Sequence, residues 1–231
     1  MYDEFGIVVA MKKILLASGN LHKKEEIQRM LPEYEIMTPT DVGVLWDCEE
    51  NAPTFTGNAL IKALALHKVT STMGIPILAD DSGLVIPALG GEPGVHSARY
   101  GSENAGRLLE AHEKNKYLLH NMEGYVGSQR KASFVCAIAV VFSSLCHFTV
   151  QEEVEGSILT EEHGSGGFGY DPIFFVDEAG MSMAALDSWQ KDYFSHRGRA
   201  LRAAQKILTS VYCNKESTIK RHADEQDTTA K

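Results

Sequence analysis

Lys13-Ile14-Leu15-Leu16-Ala17-Ser18-Gly19-Asn20-Leu21-His22-Lys23 is an apolar run, a tight turn and the start of a helix. Leu21, Ile27 and Leu31 recur at helical spacing beyond the turn, and Pro32 stops the pattern. Strand, turn, helix is the opening unit of an α/β fold. The next segments extend it. A short strand is expected around Glu35–Met37, then a helix from about Thr54 to Ser71 with Phe55, Ala59, Ala63, Leu66 and Val69 on one face. Ile75–Ala79 reads as a buried strand running into a loop, Asp80-Asp81-Ser82-Gly83, and Asn104–Asn121 as a charged helix. Lys131–Phe142 and Cys146–Glu155 are β-branched and aromatic runs about Ser143-Ser144, which predicts a long hairpin. His163–Asp171 is a glycine-rich loop, and Leu201, Ala204, Leu208 and Val211 share one face of a helix that opens at His196. The expected architecture is α/β, an elongated mixed sheet with flanking helices and two lobes around a cleft.

The 231 residues suit one domain or two closely joined lobes. A hydrophobic content of 44% with 23% charged residues excludes a wholly disordered chain and a coiled coil. No apolar run approaches the roughly 18 residues of a membrane span. The net charge of −9 argues against generic nucleic-acid binding, which depends on phosphate neutralisation. A phosphate ligand must therefore be met locally, against the global field, and a divalent cation would help. Cys48, Cys136, Cys146 and Cys213 lack metal-type spacing, and Cys136 and Cys146 read as small core residues. That usage fits a reduced, cytoplasmic compartment. Met1–Ala10 holds two acids and no base, so it does not read as a secretory signal, and Met11 resembles a second start. Residues 1–10 and 214–231 are expected to be disordered, flanking one two-lobed domain over 11–213.

Three stretches could carry chemistry. Ser18–Lys23 stands at a helix N-terminus, where free backbone N–H groups and the dipole favour phosphate, and Lys23 adds charge one turn in. The Walker spacing is absent. Neighbouring side chains on extended backbone point opposite ways, so one of Asp80 and Asp81 can face a cleft while the other braces the segment. A carboxylate beside phosphate calls for an intervening Mg²⁺, and Glu49 and Glu50 are acids of the same kind. Gly164–Gly169 is no dinucleotide fingerprint, because Tyr170-Asp171-Pro172 prevents a helix from starting there. It reads instead as a loop that a flat ligand can approach, with Phe168 as a stacking face and His196 able to hydrogen-bond a base edge.

In this order the segments SGNLHK (18–23), TFTGNALIKA (54–63), ADDSGL (79–84), LGGEPGVHSARY (89–100), GGFGYDPIF (166–174) and SHRGRAL (195–201) resemble the inosine triphosphate pyrophosphatase, or Ham1-like, family. The resemblance spans Met11 to about Val211. It implies Mg²⁺-dependent hydrolysis of ITP, dITP and XTP to the monophosphate and pyrophosphate, in a homodimer, with no nucleic-acid or membrane partner. Position by position, it implies that Ser18, Gly19, Asn20, Leu21, His22 and Lys23 hold the triphosphate. Glu49 and Asp81 would bind Mg²⁺, with Asp81 also the proton acceptor. Lys62 would contact phosphates and Ser82 the substrate, while Phe168, Gly169, Tyr170, Asp171, Lys191, His196 and Arg197 would line the base pocket.

The chain departs from the family pattern at Asn51-Ala52, where Thr-Gly is frequent, at Gly57, where an acid is, and at His96, where Tyr is. Arg197 and the N–H groups of the Phe168–Asp171 loop, aimed at a 6-oxo group, would leave donors facing adenine's amine and so reject ATP. The alternative to an enzyme is a nucleotide-binding module without catalysis. The Asp80-Asp81 pair argues against it, since a binder of phosphate gains nothing from extra acids.

Overall fold

The computed structural model describes residues 11–211; the expectations for 1–10 and 214–231, and Cys213, lie outside them. One seven-stranded sheet has the order β2-β1-β3-β4-β5-β6-β7. In chain order the elements are β1 (Lys12–Leu16), α1 (Leu21–Met30), β2 (Tyr34–Met37), α2 (Phe55–Thr70), β3 (Ile77–Val85), α3 (Ser102–Ala105) and α4 (Ala111–Asn121). There follow β4 (Lys131–Ser143), β5 (Cys146–Ile158), β6 (Phe174–Val176), β7 (Met181–Ser182), α5 (Ser188–Phe194) and a last helix, α6, over 196–211. β1 pairs in parallel with β2 and β3, and β3 pairs antiparallel with β4, as do all later neighbours. The sheet is therefore mixed, as expected, and β3 is where its sense changes.

Both faces of the β2-β1-β3-β4 half are covered, which is why β1 is apolar without alternation. Ile14 and Leu16 join Ile27, Leu31, Leu78, Ile138, Leu201 and Leu208 under α1 and α6. Leu15 and Ala17 join Phe55, Ala63, Leu66, Ile77 and Ala139 under α2. A third cluster, with Leu84, Leu118, Met122, Phe134, Val154 and Phe174, fills the far end of the sheet beneath α4.

Five local expectations are corrected. Asp80–Gly83 is not a loop at a strand end but the middle of β3, in register with Val135–Ile138 of β4. The Asn104–Asn121 helix is two pieces, because Gly106 ends α3 with a left-handed φ of 67°, and α4 starts afresh on the Glu110–Glu113 capping box. Val69 is 53% exposed, and α2 buries Asn58, Lys62 and Thr70 on its inner face instead. Cys136 is core, but Cys146 opens β5 and is exposed. Leu21, the first residue of α1, is exposed as well.

Candidate active site

β1 stays beside β3 only through Leu15↔Ile77 and Leu16↔Leu78. The chain then leaves through Ser18–Asn20, and Asn20 caps α1 by accepting from the Lys23 N–H. From Asp80 onward that edge of β3 has no strand beside it. Its groups are taken one at a time. Leu78 O accepts from the Ala17 N–H at 2.8 Å, and Asp80 O accepts from the Lys62 ammonium at 2.9 Å. The Leu84 N–H donates to Ser97 Oγ at 2.8 Å. Strand alternation turns the Ser82 main chain to this same edge, between the two. A cleft opens there, lined by Asn20, Lys23, Ser82, Phe168 and Arg197 among others.

Asp80 and Asp81 point to opposite sides, as extended backbone requires. Asp80 is fully buried and ion-paired with Lys23 and with Arg197 Nε at 3.1 Å; it also accepts from Cys136 Sγ at 3.0 Å. Burial alone would raise its carboxyl, but the Arg197 guanidinium and Lys23 outweigh burial and hold it well below the usual range. Asp81 is 8% exposed, and its Oδ1 accepts from Lys62 Nζ at 3.1 Å while its buried Oδ2 has no partner. Burial pushes its carboxyl up to about 6, against the pull of Lys62 and Lys23. Burial also works against the Lys62 charge, but Asp81 and Glu50, the latter at 2.8 Å, hold its ammonium above the ordinary lysine value.

From Asp80 a chain of alternating charges crosses the cleft floor. Arg197 Nη1 reaches Glu26 Oε2 at 2.6 Å, and Glu26 Oε1 takes Lys191 Nζ at 2.7 Å. Lys191 also reaches Asp171 Oδ2 at 2.7 Å, and that oxygen accepts from the Phe168 N–H at 2.8 Å. Lys23, Asp80, Arg197, Glu26, Lys191 and Asp171 thus tie the start of α1 to the glycine-rich loop. Phe168 has Lys191 Nζ 4.8 Å and Arg197 Cζ 5.5 Å from its ring centre, and His22 stacks on it at 5.4 Å. His196 is buried and stacked on Phe134 at 4.6 Å, with Nδ1 unpartnered. Burial, then Arg197, keep its imidazole neutral, so one ring nitrogen can accept and the other donate.

The donors present fit a hard divalent cation. The unpartnered Asp81 Oδ2 and the Glu50 carboxylate, both gathered around Lys62, are the oxygen ligands that Mg²⁺ favours. Among the described residues no three acidic, His or Cys side chains gather as a metal group, so these two carboxylates would be only part of a cation's oxygen shell.

The sequence profile of the Ham1 family matches residues 14–207. A dITP/XTP pyrophosphatase of Treponema denticola is 45% identical over 196 residues, covering 85% of this chain and 98% of the relative. The structure of a HAM1 protein from Coxiella burnetii superposes with a TM-score of 0.76 at 40% identity, over 87% of this chain and all of that one. The Staphylococcus aureus Ham1 protein gives 0.74 at 34% identity, over 86% of this chain and 99% of that one. The chain belongs to the Ham1 family.

For this Ham1 chain, the structure brings together most of the residues singled out in the sequence. Asn20, Lys23, Ser82, Phe168, Gly169, Tyr170, Asp171, His196 and Arg197 line one cleft. Lys62 meets Asp81, and Lys191 meets Asp171. Two placements bear on the roles implied for these residues. Glu49 is exposed, and Glu50 is the acid that reaches Lys62. Arg197 lines the cleft, but Asp80, Glu26 and Ser82 Oγ, the last at 2.9 Å, already hold its donors. Glu26 was not anticipated. Its signal was weak: an acid three residues after Lys23 on the helix face that also carries Ile27.

Proposed function

We propose that the chain hydrolyses inosine- and xanthine-type purine nucleoside triphosphates, ITP, dITP and XTP, to the monophosphate and pyrophosphate, with Mg²⁺. Asp81 carries this reading: a buried carboxylate with one oxygen on the Lys62 ammonium and the other without a partner, within the electrostatic reach of Lys23 in the first turn of α1. The pyrophosphatase relative covering 85% of the chain supports the substrate class. A homodimer acting in the cytoplasm belongs to the same reading.

The chain's own groups divide the work. The α1 N-terminus and Lys23 receive the phosphates, and Lys62 offsets charge that builds on the leaving pyrophosphate. The Asp81 carboxylate accepts the proton of the water attacking at the α-phosphorus. The bond to the bridging oxygen breaks, and pyrophosphate leaves. A Mg²⁺ ion held by Asp81 and an acid of the Glu49-Glu50 pair would supply further charge neutralisation. Phe168 stacks on the base regardless of its identity, so selectivity falls to the polar groups around it.

A pyrophosphate-release assay tests this. With Mg²⁺, kcat/KM for ITP is expected at least about a hundredfold above ATP, as two mismatched hydrogen bonds would give. Chelation should abolish turnover and added Mg²⁺ restore it. Comparable ITP and ATP efficiencies, or full turnover in chelator, would overturn the proposal.

A further inference from the structure

The cations around the cleft are not equivalent. Lys23 is matched by Asp80, Lys62 by Asp81 and Glu50, Lys191 by Glu26 and Asp171, and Arg197 by Asp80 and Glu26. Lys114, on α4, lines the same cleft with no carboxylate in ion-pair contact among the described residues. Its ammonium donates to Ala98 O at 3.0 Å, which uses one of its three donors. Burial pulls this ammonium below the ordinary lysine value, and only Glu110, one turn earlier, pulls the other way. A partly desolvated charge with spare donors lining a ligand cleft calls for an acceptor from the ligand.

The surroundings of Lys114 indicate which part of the ligand. Ala98 follows Ser97, whose carbonyl accepts from the Tyr170 hydroxyl at 2.9 Å, so Lys114 sits beside the loop that carries Phe168. The same helix is pinned to the start of that loop, since His112 Nδ1 and Asn115 Nδ2 each bond Glu162 at 2.7 Å. The phosphate turn, by contrast, has its own cations in Lys23 and Lys62.

We propose that Lys114 is a specificity-determining residue of this Ham1 chain, which contacts the base at position 2 and favours a carbonyl oxygen there over an amine. The inference rests on the proposed function and names the group that separates xanthine from guanine. These two bases share the 6-oxo group and differ in the exocyclic group at position 2, an acceptor in one and a donor in the other, and in the N3 proton that accompanies the 2-oxo group. An ammonium can only donate, so it pairs with the first and opposes the second; hypoxanthine, with hydrogen there, falls between.

Binding of XMP, IMP and GMP to the full chain, measured calorimetrically without turnover, tests the assignment. Wild type should prefer XMP to GMP. Lys114→Met should reduce that preference by at least about tenfold, the worth of one such hydrogen bond and the relief of one opposed donor. Lys114→Arg, which keeps the charge, should retain it within about threefold. An unchanged XMP-to-GMP ratio in Lys114→Met would overturn the proposal. So would equal weakening of all three nucleotides, which marks a structural role, or a wild type without preference. The proposed function fails separately, if the wild type cleaves neither ITP nor XTP.

Discussion

Asp81 holds its charge at a cost. Its carboxyl, raised by burial from an ordinary 3.8 to about 6, binds its proton more tightly in the folded chain than in the unfolded one. The sign follows: above about pH 6 the ionised side chain works against folding, by up to about 3 kcal/mol, and the penalty fades as pH falls toward the unfolded value. Asp81→Asn is therefore expected to lose at least about a hundredfold in kcat while melting no lower than wild type in chelator at pH 7.5. The difference in melting temperature should shrink by pH 5. A variant that melts well below wild type at neutral pH would contradict this. Arg197 behaves in the opposite way. Truncating it leaves the fully buried Asp80 with Lys23 alone of its two cations, and Glu26 with Lys191 alone of its two. Arg197→Ala should cost about 3–5 kcal/mol in urea unfolding, the usual penalty for half of a buried pair, before any effect on base selection can be read.

At the level of elements, β3 does most to build the site, and the sequence made only half of it legible. Ile77–Ala79 is plainly a strand from its apolar run, whereas Asp80-Asp81-Ser82-Gly83 has the composition of a turn. It stays extended because β4 supplies nine consecutive partners along Ile77–Val85 and because buried cations neutralise its acids, neither of which local propensity records. The same limit hid Glu26, whose partners Lys191 and Arg197 lie more than 160 residues away in sequence. Motif order, by contrast, gave the Ser18–Lys23 turn, the glycine-rich loop and the helix beginning at His196, since each is a local signal. Gly83 shows how tightly β3 is flanked. A Cβ there would meet Ser97 Oγ, come within 2.5 Å of Gly94 O and 2.8 Å of the Phe55 ring. Gly83→Ala should lower stability by about 1–3 kcal/mol, read as an earlier thermal transition, because two of those neighbours are a backbone oxygen and a packed ring.

Across the whole molecule, an excess of nine negative charges surrounds a site meant for polyanions. The six-residue ion ladder contributes three charges of each sign and so leaves the cleft floor neutral. Asp81 and Glu50 match Lys62, so Lys114 and the α1 N-terminus then supply the positive local potential. The unpaired edge of β3 lies between them, and it has a counterpart in time. The Leu84 amide donates to Ser97 Oγ, whereas strand alternation turns the Ser82 amide to that edge, where no strand pairs with it. In deuterated water it should therefore exchange within seconds to minutes while its neighbours Ala79 and Leu84 hold their protons until the molecule opens more widely. A nucleotide seated on that edge would slow this one position and leave the far end of the sheet unchanged, so occupancy could be followed by isotope uptake at a single peptide bond without any turnover. Slow Ser82 exchange in the free protein would mean that something else in the chain already covers the edge.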